Sequence, residues 1–144
     1  MLVHQLLNAK ATQGTVSVTA STPVSEACEL MSDKGIGTVL VSDDGRAPLG
    51  ILSERDIVRQ LARIGAECLT HSVDTYMTRK LVTASPQSTA QDVLTRMTEG
   101  RFRHMPVVEN GVVIGLISQG DVVKAQLSEL EMEKEALEGM IMGH

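Results

Sequence analysis

The stretch Gly50-Ile51-Leu52-Ser53-Glu54-Arg55-Asp56-Ile57-Val58-Arg59 returns later in the chain as Gly115-Leu116-Ile117-Ser118-Gln119-Gly120-Asp121-Val122-Val123-Lys124. The likeness extends upstream. Val16-Ser17-Val18-Thr19 lines up with Val82-Thr83-Ala84-Ser85, 66 residues on. The same offset carries Val24 to Ala90, Ala27 to Val93, Met31 to Met97, Val41 to Val107 and Gly45 to Gly111. One residue is lost after the turn, so Gly50 meets Gly115 at an offset of 65. An offset held over about thirty positions marks two similar units of roughly sixty residues, a duplicated module rather than a long solenoid. Whatever the fold is, a segment of that size must be able to build it twice.

Each copy of the opening stretch reads as a buried apolar strand, a turn and the first turn of a helix, with Ser and Asp three apart at the junction. Ser53 and Ser118 are N-cap residue types, and Asp56 and Asp121 can close a capping box. The same junction aims backbone N–H groups and the positive end of a helix at whatever lies in front of it, which favours anions. A cap and an anion site are both open readings of these residues.

In chain order, residues 1–10 place Val3, Leu6, Leu7 and Lys10 on one helical face, and Thr12-Gln13-Gly14 breaks that helix. Val16-Ser17-Val18 alternates as a short strand. Ser21-Thr22-Pro23 opens a helix with Val24, Ala27, Leu30 and Met31 on one face, ended by Gly35 and Gly37. Strands Val39-Leu40-Val41 and Leu49-Gly50-Ile51-Leu52 flank the hairpin chemistry Asp43-Asp44-Gly45-Arg46. A helix over 56–62 is expected to turn Ile57, Val58 and Leu61 inward. Residues 65–76 connect the units. The second unit repeats the order with a strand at Val82, a helix over 90–97, strands at 105–108 and 112–117, and a helix from Asp121. The repeating unit is β-α-β-β-α, an α+β fold. Too few strands fall in each unit to close a core alone, so the two are expected to share one, related by a pseudo-twofold axis.

From Val123 the apolar positions run Val123, Leu127, Leu130, Leu137 and Ile141, with Lys134 interrupting, while Glu129, Glu131, Glu133, Glu135 and Glu138 face away. This is either a surface helix packed on its own domain or a short seam between two helices.

Composition narrows the function classes. At 144 residues the chain is of one-domain size, and with one Phe, one Tyr and no Trp its core must come from aliphatic residues and Met. A net charge of −5 argues against nucleic-acid binding by bulk electrostatics, and platforms for base stacking are missing. Cys28 and Cys68 form no CxxC, so a zinc site is not expected, and Cys28 reads as a small core residue. No apolar run approaches the roughly 20 residues of a membrane span, and no signal peptide is seen, so the expected location is the cytoplasm.

The tandem β-α-β-β-α unit, with Gly-[Ile/Leu]-[Leu/Ile]-Ser-x-x-Asp ending each copy, resembles the cystathionine-β-synthase (CBS) domain pair, or Bateman module. The likeness spans roughly residues 15–126 and rests on "VSVTASTPVSEACELM", "GILSERDIV", "VDTYMTRKLVTASPQSTAQDVLTRM", "RFRHMPVVENG" and "GLISQGDVVK". It implies units over 15–66 and 73–126, which the helical patterns at either end flank with an N-terminal helix over 1–14 and a helical extension over 127–144. It also implies an adenosine-containing ligand (AMP first, with ATP, NAD(H) or S-adenosylmethionine as the others) in clefts between the units. Each motif Asp would accept hydrogen bonds from the ribose hydroxyls, as a carboxylate with several acceptor sites can. The Asp121 cleft would use Val16 and Ile36 against the base, with Arg103, His104 and Met105 alongside Ser118. The Asp56 cleft would use Lys80, Val82 and Phe102, with Gly37, Thr38 and Arg55 alongside Ser53. The alternative readings are His104 as a turn residue beside Pro106, Phe102 as core, and Lys80 and Arg79 as solvated charges.

Three function classes follow. A stand-alone nucleotide-binding regulatory module, sensing energy or redox state and acting on an unidentified protein target, is the leading one. An enzyme would need a nucleophile with a base or a metal cluster, and His4, His71, His104 and His144 supply none. A structural module that only dimerises is the third. A homodimer is expected from the resemblance and from exposed apolar positions such as Ile57 and Val122 on the helices after both motif Asp residues.

Overall fold

The computed structural model describes residues 1–9 and 15–142. The expectations for Lys10, Thr12-Gln13-Gly14 and His144 lie outside these. The elements run α1 (Val3–Ala9), β1 (Ser17–Val18), α2 (Val24–Lys34), β2 (Thr38–Val41), β3 (Gly50–Ser53), α3 (Glu54–Ile64), α4 (Ala90–Gly100), β4 (His104–Glu109), β5 (Val112–Ser118) and α5 (Gln119–Ile141). The mixture of helix and sheet, arranged twice, is the α+β class read from the sequence.

The chain groups into two compact units. One comprises residues 15–82 with 108–114, the other residues 1–9, 83–107 and 115–142. In the first, β1 pairs parallel with β2, and β2 pairs antiparallel with β3. All four residues of β2 are buried, so the strand is covered on both faces, and three of the four, Val39, Leu40 and Val41, are apolar. Val24, Ala27 and Met31 of α2 recur at helical spacing and meet Val39, Val41 and Leu52 in one core. Gly35, at φ 64°, ends α2 in the left-handed conformation that favours glycine. Asp44 holds the loop after β2 by accepting the Arg46 and Ala47 N–H groups at 2.8 and 2.9 Å. These bonds hold its carboxyl below the ordinary carboxylate range.

Two short 3₁₀ turns, Gly65–Thr70 and Val73–Thr75, return the chain to this same core. Val73 and Met77 pack with α2 and β3. Thr78 exchanges both backbone hydrogen bonds with Ile51, at 3.0 and 2.8 Å. Residues 73–78, which the family resemblance assigns to the second unit, thus complete the core of the first.

The second unit takes α1 instead. Val3 and Leu6 are buried with Val93 and Met97 of α4, Met105 and Val107 of β4, Ile117 of β5 and Val122 of α5. The Val3 N–H donates to the Ser88 carbonyl at 2.8 Å, and the Ala90 N–H to the Met1 carbonyl at 2.9 Å. Strands β4 and β5 pair through Asn110 and Gly111, at φ 52° and 77°, the positive pair a two-residue type I′ hairpin requires.

Three expectations are corrected. First, Val82 lies in no strand; the pairing there shrinks to one parallel bridge, Ala84 with Val107. In the first repeat the Leu40 N–H donates to the Val16 carbonyl at 3.0 Å. The residue at the Leu40 position is Pro106, which has no N–H, so the ladder loses that rung. Second, α3 buries Ile57 but exposes Val58 and Leu61. Adjacent helical residues point about 100° apart, and a helix covered on one side cannot bury both. Third, the positions offered as a dimer face, Ile57 and Val122, are core residues; the exposed ones are their neighbours Val58 and Val123.

The repeated Gly50 and Gly115 each sit under a close neighbour. A Cβ on Gly50 would lie 2.8 Å from the Thr78 carbonyl oxygen, whereas one on Gly115 would lie 2.6 Å from the flexible Leu7 Cδ2. Gly50→Ala should therefore destabilise the chain by about 1–3 kcal/mol, and by more than Gly115→Ala, in urea denaturation. Arg101 ends α4 at φ 57°, where the first repeat has Gly35. Arg101→Gly should raise stability by about 1 kcal/mol in the same measurement, because glycine avoids the left-handed penalty.

Candidate functional site

Both strand–helix junctions carry a complete reciprocal cap. At the head of α3, the Asp56 Oδ2 accepts the Ser53 N–H at 2.9 Å and the Asp56 N–H donates to Ser53 Oγ at 3.3 Å. At the head of α5, the Asp121 Oδ2 accepts the Ser118 N–H at 2.9 Å and the Asp121 N–H donates to Ser118 Oγ at 3.1 Å. The capping reading of these residues is therefore correct. It leaves a ligand role open, since one carboxylate offers about four acceptor positions and the cap uses one oxygen.

Each helix head is also tied to the segment before the middle strand. The Glu54 N–H donates to the Gly37 carbonyl at 2.9 Å, and the Gln119 N–H donates to the Arg103 carbonyl at 2.8 Å. These bonds occupy corresponding positions in the two repeats. They bring Gly37 to the helix head that carries Ser53 and Asp56, and Arg103 to the head that carries Ser118 and Asp121. Thr38 and Ser53 are register partners across β2 and β3.

The remaining candidates separate by exposure. Arg103, Arg55, Lys80 and Val82 are exposed; Val16, Ile36, Phe102 and His104 are half-buried. Thr38 and Met105 are buried, so what they can show a ligand is main chain rather than side chain. Phe102 packs on the core of its unit, with its ring over Gly100. His104, Asp121 and Thr38 are engaged within the chain. Val16, Ile36, Lys80 and Val82 belong to the unit of Asp56, and Phe102 to that of Asp121.

In front of α3 lies a cavity of about 500 Å³, lined by Ile36, Gly37, Glu54, Ile57, Val58 and Cys28 among others. A Cβ on Gly37 would lie 3.0 Å from the Glu54 carboxylate, so this acidic group rests over the glycine. Glu54 is the first residue of α3, at the position where the second copy has the uncharged Gln119. The Cys28 thiol has its pKa raised, by burial first and then by Cys68 and Glu29. It is a protonated thiol at neutral pH and a poor nucleophile. Among the described residues no group of three or more His, Cys, Asp or Glu could hold a metal ion. Nor is any described helix long and apolar enough to cross a membrane.

The CBS domain family matches residues 11–63 and 73–128. A solved structure, the CBS-domain containing protein ATU1752 from Agrobacterium tumefaciens, has a TM-score of 0.83 and 41% identity, covering 88% of this chain and 99% of that one. The mitochondrial CBS domain-containing protein CBSX3 of Arabidopsis thaliana is 33% identical over 129 residues, 87% of this chain. This chain spans 63% of that protein's length. The CBS domain pair of protein MJ0100, solved with 5′-methylthioadenosine and S-adenosyl-L-methionine, shares the fold at a TM-score of 0.78 and 20% identity, covering 90% of this chain and 98% of that one. Two matched segments, two reciprocal caps and a shared architecture agree: the chain belongs to the CBS-domain family, as a tandem pair.

Proposed function

We propose that the chain is a non-catalytic regulatory module that binds an adenosine-containing ligand, AMP foremost and otherwise ATP, NAD(H) or S-adenosylmethionine, at its two Ser-x-x-Asp helix heads. The observation that carries this reading is the duplicated junction: a carboxylate fixed by its own cap beside the positive end of a helix. Such a junction offers acceptors to ribose hydroxyls and main-chain donors to phosphate without supplying a nucleophile. A regulatory role fits a site with positioning groups alone. The adenosine ligands of the MJ0100 domain pair support the ligand class. The signal passes to a partner protein through a homodimer that works in the cytoplasm.

The two heads are unequal in charge. The Asp121 head has Arg103 and Gln119, while the Asp56 head has Gly37 and Glu54 in the same places, with Arg55 returning one positive charge. Arginine gives phosphate a fixed charge and a donor fork; a carboxylate repels it. The Asp121 site is accordingly the tighter one for a phosphorylated adenosine.

Thermal shift and calorimetry on the full chain with AMP, ADP, ATP, NAD(H) and S-adenosylmethionine test the reading. Ligand at a hundredfold excess over its dissociation constant should add roughly 2.7 kcal/mol of apparent stability. Asp121→Ala should weaken AMP binding at least tenfold more than Asp56→Ala, about the worth of one charged hydrogen bond. Each variant also loses part of a cap, so its stability without ligand is the baseline. A purely structural module gives no shift with any of the five compounds, and equal losses in the two variants remove the asymmetry.

Incubation with ATP should release neither phosphate nor AMP above a no-protein blank. Release abolished by Asp121→Ala would make the chain an enzyme instead.

A further inference from the structure

Helix α5 runs unbroken from Gln119 to Ile141, but its own unit covers only the first half. Val122 is buried in that unit's core, with Ala125 packed against it and Gln126 and Glu129 half-buried. From Leu130 to Met142 every residue except Gly139 is exposed. At 3.6 residues per turn, Val123, Leu127, Leu130, Lys134, Leu137 and Ile141 form a straight stripe centred about 100° around the helix from Val122. Their spacing of four and three is the heptad seam pattern, sustained over about 27 Å of axis. The apolar members stay in water: Leu127 is 57% exposed, Leu130 and Leu137 59%, and Ile141 84%. A free helical half of roughly a dozen residues is marginal in water, and Gly139 weakens it further.

We propose that this stripe pairs with the same stripe of a second copy, with the two α5 helices antiparallel. Charge and register choose both the occupant and the direction. In an antiparallel pair centred near residue 132, Val123 meets the partner's Ile141, Leu127 the partner's Leu137, and Leu130 the partner's Lys134. Every stripe residue then has a counterpart, while shifting by one heptad leaves Leu137 and Ile141, or Val123 and Leu127, without one. This register sets Lys124 beside the partner's Glu138, and it does so twice. It also opposes Glu131 to the partner's Glu131 and Glu133 to the partner's Glu133, with Lys134 of both copies next to them. A parallel in-register pair sets Lys134 against the partner's Lys134 and Glu133 against the partner's Glu138 twice, with no opposite-charge flanking pair in exchange. Complementary flanking charges decide orientation in such seams. The stripe thus fits its own reversed copy better than its parallel one.

Disulfide trapping in the full chain reads the register directly, with the wild-type chain and its two cysteines as control. A Leu127→Cys chain mixed with a differently tagged Leu137→Cys chain should give the mixed disulfide at least fivefold over either self-disulfide. Predominant self-disulfides of Leu137→Cys would overturn the antiparallel arrangement, and no disulfide above the wild-type level would overturn the seam itself. Sedimentation provides the second measurement. Leu130→Glu with Leu137→Glu, both at exposed positions, should weaken self-association at least tenfold while circular dichroism stays folded. Unchanged self-association, or a wild-type chain that is monomeric at 100 μM, overturns the proposal, including the case in which a different protein covers the stripe.

Discussion

The reciprocal bond between a serine and the aspartate three residues beyond it sets the geometry on which both repeats depend. It fixes where a buried strand must stop and a helix begin, and it satisfies two donors that the helix head would otherwise leave orphaned. Because Ser53 and Ser118 keep extended backbone conformations, the preceding strand enters the junction without a loop. That abrupt transition leaves the next N–H, of Glu54 or Gln119, available to hold the carbonyl of Gly37 or Arg103. One local motif thereby positions a carboxylate, a helix terminus and the segment before the central strand.

Duplication then gave the same frame two different chemistries. The frame tolerates Gly37 or Arg103, and Glu54 or Gln119, because its own bonds at those positions are made by main chain. Side chains are free to vary there without disturbing the cap. Elsewhere the copies differ at structural cost: Pro106 deletes a rung of the sheet, and Arg101 adopts a backbone conformation that its counterpart Gly35 adopts freely.

Much of the fold was legible because the repeat could be read twice. The strands, the helix faces of Val24, Ala27 and Met31, and both caps follow from period and residue type. What escaped was long-range. No local pattern says that Val73 packs with Val24, or Val3 with Val93. Periodicity also marks a helix face only to within one residue, so it does not separate the buried Ile57 from the exposed Val58. The missing rung at Val82 was legible in principle, since Pro106 falls where Leu40 donates. Within the candidate site, Ser53, Asp56, Ser118 and Asp121 announce themselves by spacing. Glu54 did not, because its importance lies in the empty side of Gly37.

The placement of α1 bears on how the chain acquires its structure. Val3 and Leu6 share their buried core with residues drawn from 84–122. The nearest of those partners, Ala84, lies roughly eighty residues further along the chain, whereas the core of the Asp56 unit draws on residues 16–77. Closing so long a loop costs conformational entropy before any contact rewards it. The unit that holds α1 therefore carries a larger loop-closure cost than the unit of Asp56, whose core residues all lie between Val16 and Met77.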